Sequence, residues 1–306
     1  MRSLDDWVTL TLAVVLTLTF SVVLLLWARI LIARVGQRRL ADGRGPARPP
    51  TTPLFLAPDA DPALQRGLGI AALRAAAVGD PVNVLQPRRR RREARTELRA
   101  WLSGEAEEWV IGTDVRQQLR SMLRKGLGSH SEVISPPLRH LEEVLRQRQR
   151  AGPELWHHVL DEFAVANGLL LTERDLLHRL AEDTKEAESQ LRASGVLGVE
   201  DQVPSVLAVD WASSVHAVRT GLCAAWIDEA DAAEYVRRAG DLVAARYPAW
   251  RVVVAALLLP DLVADNRMTV DWGIEVARVL LDEPASPWQT PLIAPWSPAD
   301  DAHPPA

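Results

Sequence analysis

The chain has 306 residues, 48% of them hydrophobic and 25% charged, and a formal net charge of −5. That length and composition can fill one sizeable core or two small ones, and they exclude a disordered or fibrous chain. A lone cysteine, Cys223, excludes an intramolecular disulfide or a thiolate metal cluster and reads as a small core residue.

The net charge conceals a gradient. Residues 28–102 carry 15 basic and 6 acidic side chains, whereas residues 195–306 carry 7 and 16. No charge interrupts residues 7–27, WVTLTLAVVLTLTFSVVLLLW, which have about the length that crosses ~30 Å of hydrocarbon. Tryptophans bound the run as interfacial anchors do, and Asp5 and Asp6 before it are unlike the basic start of a cleaved signal. Arg29, Arg34, Arg38 and Arg39 follow it, so the expected topology is an uncleaved anchor in residues 1–40, N-terminus outside and the bulk cytoplasmic. Six prolines in residues 41–63 forbid a regular helix or a central strand and predict an extended tether.

A helix is expected over 64–78. PRRRRRE follows, with Arg88, Arg89, Arg90, Arg91 and Arg92 in succession, then a second helix through Trp101. Five arginines are compatible with a solvated loop, with anionic lipid headgroups held near by the anchor, or, more weakly, with nucleic-acid phosphate. Thr113 is the expected cap of a helix carrying Val115, Leu119, Met122 and Leu123 and stopped by Gly126. Pro136 and Pro137 open another that reaches Arg150. The next covers 154–167 with Trp156, Leu160 and Phe163 on one side. Thr172 and Asp175 resemble a capping box for a long helix ended by Gly195.

From Trp211 the spacing places Val215, Val218, Leu222 and Trp226 within one arc of about 80° at ~100° per residue, with Asp210 facing away. Asp228 caps the following helix, whose stripe is Ala232, Tyr235, Val236, Ala239, Leu242 and Val243 with Arg246 in its last turn. A third apolar run covers 252–259, a last helix 270–281, and the tail 291–306 is expected to be disordered. Without any long period-2 stretch the class is all-α: a compact multi-helix domain over 64–290, behind a single N-terminal transmembrane helix.

QRGLGIAALRAA at Gln65, EWVIGTDVRQQLRSMLRKG at Glu108, VDWASSVHAVRTGLCAAWIDEADA at Val209, the aromatic corner from Tyr247 to Trp250, and SPW at Ser286, in that order and spacing, resemble the bacterial family catalogued as domain of unknown function 1266. The resemblance implies Asp210, Arg219 and Gly221 in the family's positions. Val209 and Ser213 stand where the family has a Trp and a first Arg, and Pro260 and Asp261 where it favours Gly-Arg. It implies no activity.

The i,i+4 pairs His157/Asp161, His158/Glu162 and His178/Glu182 read as solvated helix surface, since HExxH is absent. His216 and Cys223 stand two turns apart on one helix, too far for nucleophile and base. Neither GxxxxGK[ST], GxGxxG nor GxSxG occurs. Arg219 lies ~60° from the arc centre, so its guanidinium needs a carboxylate or carbonyls; a structural ion pair is the favoured reading over a ligand-binding arginine, with Asp228, Asp241 or Asp271 as candidate partner. The function is unknown. The reading adopted is a single-pass cell-membrane protein whose cytoplasmic helical domain binds another protein, with no cofactor or metal indicated. The alternatives are an enzyme with a polar site around Asp210, Arg219 and Arg246 and an anionic-lipid or nucleic-acid adaptor using the five arginines.

Overall fold

A computed structural model describes residues 52–57, 61–105, 115–127 and 136–292. The expected span 7–27, its basic flank, most of the tether, Thr113 and the tail from 293 lie outside these residues. The described residues hold eleven α-helices, one short 3-10 helix at Pro287–Gln289 and no strand, so the all-α expectation holds. In order these are α1 Pro62–Ile70, α2 Ala72–Ala77, α3 Arg91–Glu105, α4 Val115–Gly126, α5 Pro136–Ala151 and α6 Trp156–Ala166. They continue with α7 Leu171–Ala193, α8 Leu207–Ala224, α9 Glu229–Arg246, α10 Trp250–Val263 and α11 Arg267–Asp282. Among the described residues no single helix is long and apolar enough to cross a membrane.

Helix α8 is the centre of the packing, touching α1, α2, α3, α4, α9 and α10. Its burial runs almost all round: Trp211, Val215 and Val218 are inside as their arc predicts, but so are Asp210, Ser214 and Thr220. Asp210 was expected to face away; neighbours on every side enclose it instead, and only 6% of it is exposed. The arc also ends early. Ala225 turns left-handed at φ 57°, so Trp226 falls beyond the helix and, like Leu222, is only partly buried.

The helix expected over 64–78 is two. Ala71 separates α1 from α2 with φ −92° and ψ 6°, its N–H bonded back to Leu68 and Gly69. The break lets α1 cross α9 closely. A methyl on Gly67 would stand 1.9 Å from the Val236 carbonyl oxygen, and one on Gly240 2.6 Å from that of Ala63. Two glycines therefore set this crossing, bringing backbone against backbone. Part of the expected tether belongs to the fold: the Leu54 carbonyl accepts from Val82 at 2.9 Å. Asn83 holds the Leu56 backbone by both amide atoms and donates to the Ala285 carbonyl.

Asp228 caps α9 as expected, accepting from the Asp231 amide at 2.8 Å. Thr172 does not cap α7. The helix begins one residue before it, and Glu173 reaches back to the Leu170 amide at 2.9 Å, which is half of a capping box because leucine has no acceptor. The corner after α9 is aromatic: Trp211 meets Tyr247 edge-on, and Trp250 stacks on Trp288 with centroids 5.9 Å apart. Tyr247 donates to the Ser205 carbonyl and accepts from Ala208, so its hydroxyl secures the entry to α8. Helices α5, α6 and α7 carry a second, smaller core of Val144, Trp156, Leu160, Leu177 and Ala181.

Gly67→Ala is expected to cost roughly 3 kcal/mol, because neither backbone at the α1–α9 crossing can retreat. Gly79→Ala, at φ 72° with open space around it, is expected to cost only about 1–2 kcal/mol of left-handed strain. Urea unfolding of the two variants measures the difference, and equal losses would show that the crossing is not tight.

Candidate functional site

The irregular segment between α2 and α3 lies along the C-terminal half of α8 because Arg219 holds it there. Only 1% exposed, Arg219 donates from Nη2 to the Pro81 carbonyl at 2.5 Å and from Nε to the Leu85 carbonyl at 3.3 Å. Burial lowers its pKa to about 10, opposed by the nearby Asp80 carboxylate, so it remains charged at neutral pH. The expected ion pair with Asp228, Asp241 or Asp271 is not what forms: two backbone carbonyls solvate the guanidinium.

The five arginines do not act alike. Arg88, Arg90, Arg91 and Arg92 are exposed, whereas Arg89 turns inward, with Nε 2.6 Å from Asp80 and Nη1 on Glu97. Glu97 in turn accepts from His216 Nε2 at 2.7 Å, and Cys223 Sγ donates to the Arg89 carbonyl. Asp80, Arg89, Glu97 and His216 thus form one chain of contacts from the loop to α8. Burial holds His216 below the ordinary imidazole value against the pull of Glu97. Its hydrogen bond to Glu97, with Arg89 beside it, holds that carboxyl below the usual range. Burial raises the Cys223 thiol, which gives it no nucleophilic activation.

Beside this chain lies a cavity of about 210 Å³ lined by Arg74, Glu97, Leu98, Ser213, His216, Ala217 and Thr220. Neither Glu97 nor the set Ser213, His216 and Thr220 stands out in the sequence reading. The signal was there: Ser213, His216 and Thr220 fall at i, i+3 and i+7, a polar stripe along a largely apolar helix.

The predicted polar residues occupy different places. Arg246 ends α9 and stands 3.7 Å from Glu142 of α5. Glu142 also accepts from Ser205 and the Val206 amide, and burial raises its pKa. Asp210 is in the first turn of α8, ~13 Å along the axis from Arg219. Arg219 and Arg246 therefore belong to separate networks.

The i,i+4 histidine pairs exchange partners between helices: His157 Nε2 meets Glu182 at 2.5 Å and His178 Nε2 meets Asp161 at 2.6 Å. The two rings stack with Nδ1 atoms 2.8 Å apart. Only His158 and Glu162 keep the expected pairing, at 3.1 Å. Among the described residues no group of three or more His, Cys, Asp or Glu side chains gathers for a metal ion.

Fold and site define a helical domain wrapped around one buried, arginine-bearing helix, with a small pocket beside it that carries a few polar groups. The chain belongs to the family described as protein of unknown function (DUF1266), whose sequence profile matches residues 107–294. Helix α8 with His216 and Arg219 lies inside the match, whereas Glu97, Arg89 and the segment resembling the family from Gln65 precede it. No curated protein and no solved structure matches the chain.

Arg219→Met is expected to destabilise by about 3 kcal/mol, since the Pro81 and Leu85 carbonyls lose their donor inside the core. Unfolding free energy is also expected to fall on acidification. A histidine kept neutral in the fold penalises the folded state below about pH 6.5, where the unfolded chain takes the proton first. The lowered carboxyl of Glu97 works in the same direction: its stabilisation is present above the usual carboxylate range and is lost as pH falls through its folded value. His216→Gln should flatten the upper part of a plot of unfolding free energy against pH; an unchanged slope there would refute the assignment.

Proposed function

We propose that the chain is a single-pass membrane protein anchored by residues 7–27, and that its helical domain lies in the cytoplasm and binds a partner protein at the membrane face. Support for the anchor is the uncharged run between Trp7 and Trp27 and the arginines at 29, 34, 38 and 39.

The observation that carries the binding reading is the tip of the α6–α7 hairpin. Val165, Leu170 and Leu171 are 76%, 69% and 75% exposed about one short turn. Single exposed apolar side chains are ordinary; three around one connection mark a contact surface. Glu162, Glu173, Arg174 and Asp175 flank the tip, a balance that an anionic bilayer repels, so the occupant that fits is an apolar helix face of another protein.

A second reading has one observation of its own: Arg88, Arg90, Arg91 and Arg92 face solvent together, a surface suited to anionic headgroups. It is distinguished by ionic strength, since attachment through these residues weakens steeply with salt. The enzyme alternative around Asp210, Arg219 and Arg246 gains nothing from the geometry, because Arg219 and Arg246 serve different networks.

In-cell crosslinking of the full-length chain, followed by mass spectrometry, tests the proposal beside a Leu170→Asp/Leu171→Asp variant and a chain lacking residues 1–40. The expected result is a protein recovered with the parent and lost from both. Recovery that persists in the tip variant would remove the hairpin as the contact, and crosslinks only between copies of this chain would replace partner binding with self-association.

A further inference from the structure

Helix α8 is apolar or enclosed along most of its surface, yet Ser213, His216 and Thr220 share one stripe with Ala217 and open on the 210 Å³ cavity. At about 30 Å³ per water molecule this space holds about seven, more than a structural water requires. The pocket is partly open to solvent, and its largely apolar wall carries two hydroxyls, an imidazole and a carboxylate, the mixed lining of a small-molecule site.

The hydrogen-bonding inventory restricts that occupant. Ser213 Oγ donates to the Val209 carbonyl at 2.8 Å, and Thr220 Oγ1 donates to the His216 carbonyl at 2.8 Å. Each hydroxyl has spent its proton and offers lone pairs. His216 uses Nε2 to donate to Glu97, which fixes the tautomer and leaves Nδ1 as the ring's acceptor. Glu97 itself only accepts, and it is steadied by Arg89, which is steadied by Asp80. On the cavity wall these acceptors outnumber the one guanidinium, Arg74. The complement is therefore rich in donors.

Charge then selects among donor-rich molecules. The charges that act on the His216 imidazole are Arg74 and Arg89 against Glu97, two cations to one carboxylate, a field that disfavours an ammonium ion there and tolerates neutral hydroxyls. We propose that this cavity binds a small neutral polyol, whose hydroxyls donate to His216 Nδ1, Ser213 Oγ, Thr220 Oγ1 and Glu97 against the apolar floor of Leu98 and Ala217. The site is independent of the hairpin tip, so its failure leaves the partner-binding reading untouched.

The test is a titration of the full-length chain in detergent micelles, labelled with nitrogen-15 at its seven histidines, with erythritol as the probe. His216→Gln identifies the His216 resonances. The expected result is a saturable displacement of the His216 Nδ1 signal while the other histidines stay in place. Ala217→Leu, which fills the cavity, is expected to raise the apparent Kd at least about tenfold, and Ser213→Ala, which removes one acceptor with little change of size, about threefold. The Ser213→Ala arm decides alone if the larger side chain disturbs the remaining histidine signals. No saturable displacement, an equal displacement at all histidines, or parent affinity in Ser213→Ala overturns the proposal.

Discussion

The burial of one guanidinium organises much of this domain. Arg219 sits on a helix with neighbours on nearly every side, and a cation there must be given acceptors. Those acceptors come from backbone, the carbonyls of Pro81 and Leu85, rather than from a buried carboxylate that would itself need desolvation. A segment without regular secondary structure is thereby held along α8. Its fixed path puts Asp80 where Arg89 can reach it, Arg89 where it can hold Glu97, and Glu97 where it orients His216. The pocket that Glu97 and His216 line lies at the end of that sequence of contacts.

A second constraint is steric. At the crossing of α1 and α9 the backbones approach through Gly67 and Gly240, and side chains there would force the helices apart. The close approach carries Gly69 to the Trp250 and Trp288 pair, whose indoles donate to the Thr290 and Gly69 carbonyls at 2.8 Å. The N-terminal helices and the last turn are thus bound to the aromatic corner. Helix α7 enters the main core with Ala187 and Leu191, while α6 and the first half of α7 rest on the smaller core, and the pair Arg148–Glu188, both 4% exposed, fastens α7 to α5. Arg148 also lies over the Trp156 ring and donates to the Val203 carbonyl. The hairpin is therefore tied to the domain at its base while its tip remains free of the main core.

Several features were legible without coordinates because their causes are local. The caps at Asp228 and the start at Pro136 rest on one or two residues and the backbone beside them. The stripe of Ala232, Val236, Ala239 and Val243 follows from helical periodicity alone. Arg219 was recognisable as a partly buried cation from its angle to the apolar arc. The site was less legible. Ser213, His216 and Thr220 form a visible stripe, but a polar stripe on a helix normally means solvent, and the sequence does not say that another helix and a loop enclose this one.

By itself the sequence determined the helical class, the approximate helix boundaries, the run of residues 7–27 and the kinship of the chain, since periodicity, capping and composition act over a few residues. The tertiary structure alone decided that Asp210 is inside, that Arg89 turns away from its four neighbours, and that Arg219 binds carbonyls 134 and 138 positions away. It also decided which of the interleaved acids each of His157 and His178 meets. These outcomes depend on which surfaces come together across the chain, and the free energy that selects them belongs to the assembled core, which no local stretch contains.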